Sequence, residues 1–188
     1  ASCTTNAASP LIHILDQAIG IEKALLNTTH AMTGTQRVVD SPGGKDARGG
    51  RAASQNMIPA STGAAIAVTE AVPQLKGLFD GISIRVPVIA GSIADITFIA
   101  KRETSVEEVN RVLSDAAKDP RWEGIFTVTN EDLVSSDIVG NLHGAIADLQ
   151  MTRVVGGNLV KVMSWYDNEM GYTNTLVKHV VEVGKHLG

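Results

Sequence analysis

Apolar residues recur at helical spacing from the start of this chain. Leu11, Ile12, Leu15, Ala18 and Ile19 share one face, and Gly20 stops them. Pro10 cannot donate to the carbonyl of Asn6, so this helix either starts near Pro10 or begins at Cys3 and kinks. Ile21 to Thr29 reads as a strand leading to His30. From Thr33 to Thr62 the pattern dissolves into Gly, Ser, Asp and Arg, and a loop of that length inside a domain is usually functional or disordered. Ser61-Thr62-Gly63 then opens a helix from Ala64 to Val72, ended by Pro73.

Gly81 to Pro87 and Ser92 to Arg102 alternate as strands. Ser105-Val106-Glu107-Glu108 is a capping box that starts a helix with Val106, Val109, Val112, Leu113 and Ala116 on one stripe. Pro120 lies beyond its end, and Ile125 to Thr129 is a short strand. Ala145 to Thr152 and Asn158 to Trp165 form a hairpin pair around Val154-Val155-Gly156-Gly157. An amphipathic helix with Leu176, Val177, Val180, Val181 and Leu187 closes the chain, from about Asn168 to His186. Strands and helices that do not strictly alternate argue for an α+β fold with a mixed, largely antiparallel sheet covered by helices.

The 188 residues fit one domain with a sizeable core. A net charge of −4 without a basic block gives no reason to expect nucleic acid as a partner, and no apolar run of membrane-spanning length occurs. The single cysteine excludes an internal disulfide and a multi-cysteine metal site; no metal is expected. A free functional thiol suits a reducing, cytoplasmic setting.

That cysteine, Cys3, sits in Ala1-Ser2-Cys3-Thr4-Thr5-Asn6, a hydroxyl-rich turn at the start of a helical pattern. Such a place makes a poor core site and a good nucleophile site, because a helix N-terminus favours the thiolate. His30 follows 27 residues later, room for a helix and a returning strand. An imidazole there would stabilise the thiolate as an ion pair and serve as acid or base in turn. From spacing alone this is one pairing among several, since the chain has five histidines. His13, His143, His179 and His186 read as surface or helix-end residues.

Several motifs sharpen the reading. Ser2-Cys3-Thr4-Thr5-Asn6, Thr28-Thr29-His30-Ala31-Met32-Thr33, Pro59-Ala60-Ser61-Thr62-Gly63-Ala64-Ala65, Arg85-Val86-Pro87 and Ser164-Trp165-Tyr166-Asp167-Asn168-Glu169-Met170-Gly171-Tyr172 stand in this order. Together they resemble the glyceraldehyde-3-phosphate dehydrogenases, over essentially the whole chain. The resemblance implies that residues 1–188 are the catalytic domain, with the family's S-loop at about 33–62 and its C-terminal helix at about 168–186. The Rossmann domain that precedes this motif in the family is expected to be absent from this chain. No G-x-G-x-x-G fingerprint occurs, and the Gly43-Gly44, Gly49-Gly50 and Gly156-Gly157 doublets lie in polar loops.

The resemblance also implies the chemistry. Cys3 attacks the aldehyde of a triose phosphate, His30 takes the hydroxyl proton as hydride leaves to a nicotinamide, and inorganic phosphate releases the resulting thioester as an acyl phosphate. Thr33 and Arg85 match the family's substrate-phosphate contacts. Ser2, Thr62 and Gly63 match its inorganic-phosphate contacts, with Thr4 nearby. Asn168 and Tyr172 match residues at the nicotinamide end of NAD, with NADP left open. An arginine fork and a helix start with free N–H groups both suit anions. Arg37, Lys45, Arg48 and Arg51 of the long loop read as a solvated run, but the family's S-loop meets a neighbouring subunit, and a homotetramer is implied; some relatives carry an extra arginine in the phosphate site where this chain has Gly49, so Arg48 and Arg51 are weaker candidates than Arg85. Ala7 stands where many relatives have a second cysteine, and Ile138 to Gln150 follow the family pattern less closely. The alternatives are an erythrose-4-phosphate dehydrogenase-like enzyme, a cysteine–histidine hydrolase or acyltransferase, and a cofactor-less redox-sensing or interaction domain.

Overall fold

Helical period at the start of the chain and strand alternation after Gly20 produce one unit, α1 (Cys3–Ile19) followed by β1 (Ile21–His30). This computed structural model describes residues 2–44 and 46–186. Ala1, Lys45 and Leu187, named above, lie outside the described residues. Of the two readings of Pro10, the second start is correct: α1 begins at Cys3 and carries Pro10 inside. Ser2 is its N-cap, accepting from the Thr5 amide at 3.1 Å. Gly20, at φ 74°, ends it in a conformation that favours glycine, and its amide donates to Asp16 O.

The remaining strands are β2 (Ile58–Ser61), β3 (Phe79–Arg85), β4 (Ser92–Ala100), β5 (Phe126–Thr129), β6 (Ala145–Val155) and β7 (Leu159–Tyr166). The remaining helices are α2 (Ala64–Ala71), α3 (Val106–Ala116) and α4 (Met170–Gly184). Among the described residues the seven strands form one sheet in the order β2-β3-β1-β4-β7-β6-β5. Only β1–β3 and β5–β6 run parallel, so the sheet is mixed and largely antiparallel, and the fold is α+β. The long loop is less bare than expected: it holds a 3-10 turn at Ala47–Gly50 and the short strand β2. Pro59 is tolerated in β2 because that strand is the sheet edge. The capping box at α3 is half made. Ser105 accepts from the Glu108 amide, but the Glu108 carboxylate is taken by Arg102 and Thr104.

Alternation in β4 decides where the core lies. Ser92, Ala94, Ile96, Phe98 and Ala100 are buried, while the residues between them are not. Leu11, Ile12 and Leu15 of α1, Val68 of α2 and Leu113 of α3 join these strand residues in one core. The opposite face carries Leu25, Ile82 and Leu159, all exposed, beside the ion pair of Lys161 with Asp95. In α4 the expected apolar stripe exists, but Leu176, Val177, Val180 and Val181 stand exposed. Phe98 is 1% exposed. Phe98→Ala should therefore destabilise the domain by about 3–5 kcal/mol, read as a lowered urea midpoint at unchanged slope.

Candidate active site

The ends of four strands meet at one end of the sheet. His30 closes β1 and pairs in register with Arg85, which closes β3. Ser92 opens β4 and pairs with Tyr166, which closes β7. The first turn of α1 brings Cys3 to the same end, where its Sγ lies 3.3 Å from His30 Nε2. Sequence spacing alone left that pairing open; the geometry makes it.

His30 is buried, and its Nδ1 lies 2.7 Å from Ala31 O and 2.9 Å from Arg85 Nη1. One ring nitrogen cannot donate to a carbonyl and accept from a guanidinium at once. The shorter contact assigns the proton to Nδ1, donating to Ala31 O, and this leaves the Nε2 lone pair facing the sulfur. Arg85 is then poorly satisfied. Its Nη1 reaches Ala31 O only at 3.4 Å, and its buried Nε has no partner among the described residues.

Electrostatics favour neutral groups here. Burial raises the Cys3 thiol, against the pull of the Thr4 amide and hydroxyl and of the Arg85 charge. Burial lowers His30 to about 4; donation to Ala31 O opposes this, and Arg85 adds to it. The thiolate–imidazolium pair expected from sequence is therefore a thiol–imidazole pair in this state. The imidazole is shut off from solvent while Cys3 stays partly exposed, and a fixed cation sits beside the ring.

That depressed value has a stability consequence. Unfolded, His30 binds a proton below its ordinary 6.5; folded, it does so only below about 4. The contribution is complete above the first value and is lost as pH falls through the window to the second, by about 3 kcal/mol. Urea midpoints at about pH 7 and about pH 4 should show wild type losing that much more than His30→Asn.

The other residues singled out from sequence are placed as follows. Ser2 spends its hydroxyl as the α1 cap, also 2.8 Å from Thr5 Oγ1. Thr4 is buried, with its hydroxyl 2.8 Å from Tyr166 Oη. Thr33 lies three residues past His30 and is tied into its own turn through Thr35 and Gln36. Thr62 accepts from the Ala64 amide at the start of α2, with Gly63 exposed beside it. Ser61 pairs with Ile82 and Ile58 with Arg85, so Ser61, which leads into the Thr62–Gly63 turn, lies about 10 Å along β3 from Arg85. Arg51 is exposed and paired with Asp40.

Asn168 is buried, and its Oδ1 accepts from the Gly91 amide at 3.2 Å and the Ser92 hydroxyl at 3.1 Å. Its Nδ2 makes no hydrogen bond among the described residues, so it remains a donor for a ligand carbonyl. Tyr172 is half-buried in the first turn of α4. Two residues were missed from sequence. Ser92 accepts from the Ala31 amide at 3.0 Å and so links the His30 strand end to Asn168. Tyr166 stood inside a quoted motif without a role, yet its hydroxyl meets both Thr4 and Thr28. Both signals are long-range pairings, which no local pattern carries.

Residues 2–168 match the family described as glyceraldehyde 3-phosphate dehydrogenase, C-terminal domain. The glyceraldehyde-3-phosphate dehydrogenase of Zymomonas mobilis subsp. mobilis is 45% identical over 187 residues, which is 100% of this chain and 55% of that protein. The corresponding enzyme of Streptomyces coelicolor is 46% identical over 187 residues, again 100% of this chain and 55% of the relative. Glyceraldehyde-3-phosphate dehydrogenase 3 of Saccharomyces cerevisiae is 43% identical over 185 residues, 98% of this chain and 55% of its own length. The chain thus spans about half the length of these relatives. With Cys3, His30 and Arg85 of the motifs brought to one end of one sheet, and the match running almost end to end, this chain belongs to the glyceraldehyde 3-phosphate dehydrogenase C-terminal domain family.

Proposed function

We propose that these residues are the catalytic half of a phosphorylating glyceraldehyde-3-phosphate dehydrogenase. The observation that carries the reading is the 3.3 Å contact of Cys3 Sγ with His30 Nε2 beside an undersatisfied guanidinium. The Cys3 sulfur attacks the aldehyde carbon, and its proton passes to the Nε2 lone pair. His30 returns that proton to the carbonyl oxygen, which gives a thiohemiacetal. His30 then takes the hydroxyl proton as the carbonyl re-forms and a thioester is left on Cys3. Inorganic phosphate attacks the thioester carbon, the C–S bond breaks, and the sulfur leaves with its electron pair to be reprotonated.

The substrate phosphate is assigned to Arg85, with Thr33 beyond the end of β1, because Arg85 has an unpartnered donor and no carboxylate partner among the described residues. The attacking phosphate is assigned to the Thr62–Gly63 start of α2, with Ser2 and Thr4 on the other side. Asn168 Nδ2 and Tyr172 fit the carboxamide end of a nicotinamide. When bound, NAD (or NADP) supplies the acceptor for the electron pair and hydrogen that leave the aldehyde carbon. The remaining cofactor contacts belong to an N-terminal nucleotide-binding domain of the same enzyme, and the working form is a homotetramer whose S-loop at about 33–62 meets a neighbour. The setting is the cytoplasm, where Cys3 stays reduced.

Joined to the N-terminal half of a full-length relative, this chain should form NADH from glyceraldehyde 3-phosphate only when phosphate is present. Arg85→Ala should then raise KM for the triose phosphate by about 10–100-fold, the worth of charge-assisted hydrogen bonds. Arg51→Ala should stay within about twofold, since its partner is an exposed carboxylate. The reverse order would place the substrate phosphate elsewhere.

A further inference from the structure

The buried phenol of Tyr166 joins two elements that each carry one reactive group. Its Oη lies 2.8 Å from Thr4 Oγ1 and 2.8 Å from Thr28 Oγ1. Thr4 is the neighbour of Cys3 in the first turn of α1. Thr28 lies two residues before His30 on β1, so the two side chains share one face of the strand. Tyr166 is 1% exposed, Thr28 1% and Thr4 4%, so water cannot substitute for any of the three hydroxyls. The same ring presents its edge to the imidazole, with centroids 5.9 Å apart and planes at 71°.

We propose that Tyr166 is a positioning residue, which ties the Cys3 turn of α1 to the His30 end of β1 and so holds the sulfur at its distance from Nε2. The inference rests on the reading of Cys3 and His30 as a reacting pair. A phenol suits the task because it donates to one threonine and accepts from the other. A phenylalanine would keep the packing and lose both ties. The groups that face the sulfur and its partner are His30 from β1, Arg85 from β3 and Tyr166 itself from β7. Burial pushes the phenol far above its ordinary range, so it keeps its proton wherever the domain is folded. Without the bridge, among the described residues, the first turn makes no side-chain hydrogen bond to β1 besides the Cys3–His30 contact itself: Ser2 and Thr5 bond to each other, and Asn6 donates to Thr175 of α4. The helix start is then free to slide, and a shift of a fraction of an ångström breaks a sulfur–nitrogen contact at 3.3 Å.

The test is a double-substitution cycle read by iodoacetamide alkylation of Cys3 in the 188-residue chain. In the wild-type background His30→Asn should slow alkylation by about tenfold, since the base is lost. In the Tyr166→Phe background the same His30→Asn change should alter the rate by less than about twofold, because the pair is no longer held together. Thr28→Val should erase the coupling as Tyr166→Phe does. Thr4→Ser, which keeps the hydroxyl, should preserve it. These two variants carry the test if Tyr166→Phe does not fold. Unfolding would expose Cys3 and erase the ratio by itself, so only variants with the wild-type circular dichroism spectrum and urea slope enter the cycle. A ratio still near tenfold with phenylalanine at this position, or with valine for Thr28, overturns the positioning role and leaves the Cys3–His30 pair intact. A ratio near one in wild type overturns the pair itself, and this inference with it.

Discussion

Cys3→Ala in the joined two-domain enzyme is expected to lower turnover by about four orders of magnitude or more while cofactor binding persists. These 188 residues hold one cysteine, so none of their own side chains offers a second thiol. The thioester must form on sulfur: an alanine methyl cannot attack a carbonyl. Cys3→Ser should fare little better, because a hydroxyl at this site has no thiolate-like form near neutral pH. The groups assigned to the cofactor, Asn168 and Tyr172, lie after β7 and share no hydrogen-bond partner with the sulfur among the described residues, so calorimetry should find binding close to wild type. The readout is NADH absorbance against the binding isotherm. Loss of both signals together would mean that Cys3 supports the fold rather than the chemistry.

His30→Asn is expected to lower kcat by about 10²–10⁴-fold, the usual contribution of a positioned acid–base group. Asparagine can still donate toward Ala31 O but cannot take a proton. The pH dependence gives the second half of the test. In the free protein His30 titrates at about 4, held down by burial and by Arg85. A substrate phosphate that draws the guanidinium to itself removes part of that opposition. The acid limb of kcat should therefore lie at higher pH than that of kcat/KM, since the first reports the complex and the second the free enzyme. Arg85→Leu should move the limb of kcat/KM upward as well. Coincident limbs in wild type and in Arg85→Leu would separate Arg85 from His30.

Elements with a strong local period were legible in the sequence. The β4 alternation, the α3 stripe and the Gly20 stop all follow from side-chain spacing. The start of α1 was open because two local rules conflict at Pro10: the proline removes a hydrogen bond, while Ser2 offers a cap. Ser2 wins, since the lost bond lies one turn in and the burial of Leu11, Ile12 and Leu15 is untouched. β2 was hidden because four residues containing a proline look like loop; only pairing with β3 makes them a strand. At the site, the motifs named Cys3, His30 and Arg85, but not the resting charge state. That depends on burial and on a guanidinium packed against the imidazole from a strand 55 residues away. Ser92 and Tyr166 could not be assigned for the same reason, because their partners are distant in sequence.

The order in which the site is assembled follows from those separations. Cys3 and His30 are 27 residues apart, within one helix–turn–strand unit whose corner is closed by Gly20 N to Asp16 O and Ile21 N to Asp16 Oδ1. Tyr166 is 138 residues from Thr28 and 162 from Thr4. Contacts of short sequence range close quickly and those of long range late. During refolding the sulfur and the imidazole should thus meet early, in a site still open to solvent, and become fixed only when β7 docks. Pulses of alkylating agent at increasing refolding times should find Cys3 accessible until the last slow phase, so the most reactive atom of the chain is also among the last to be sheltered.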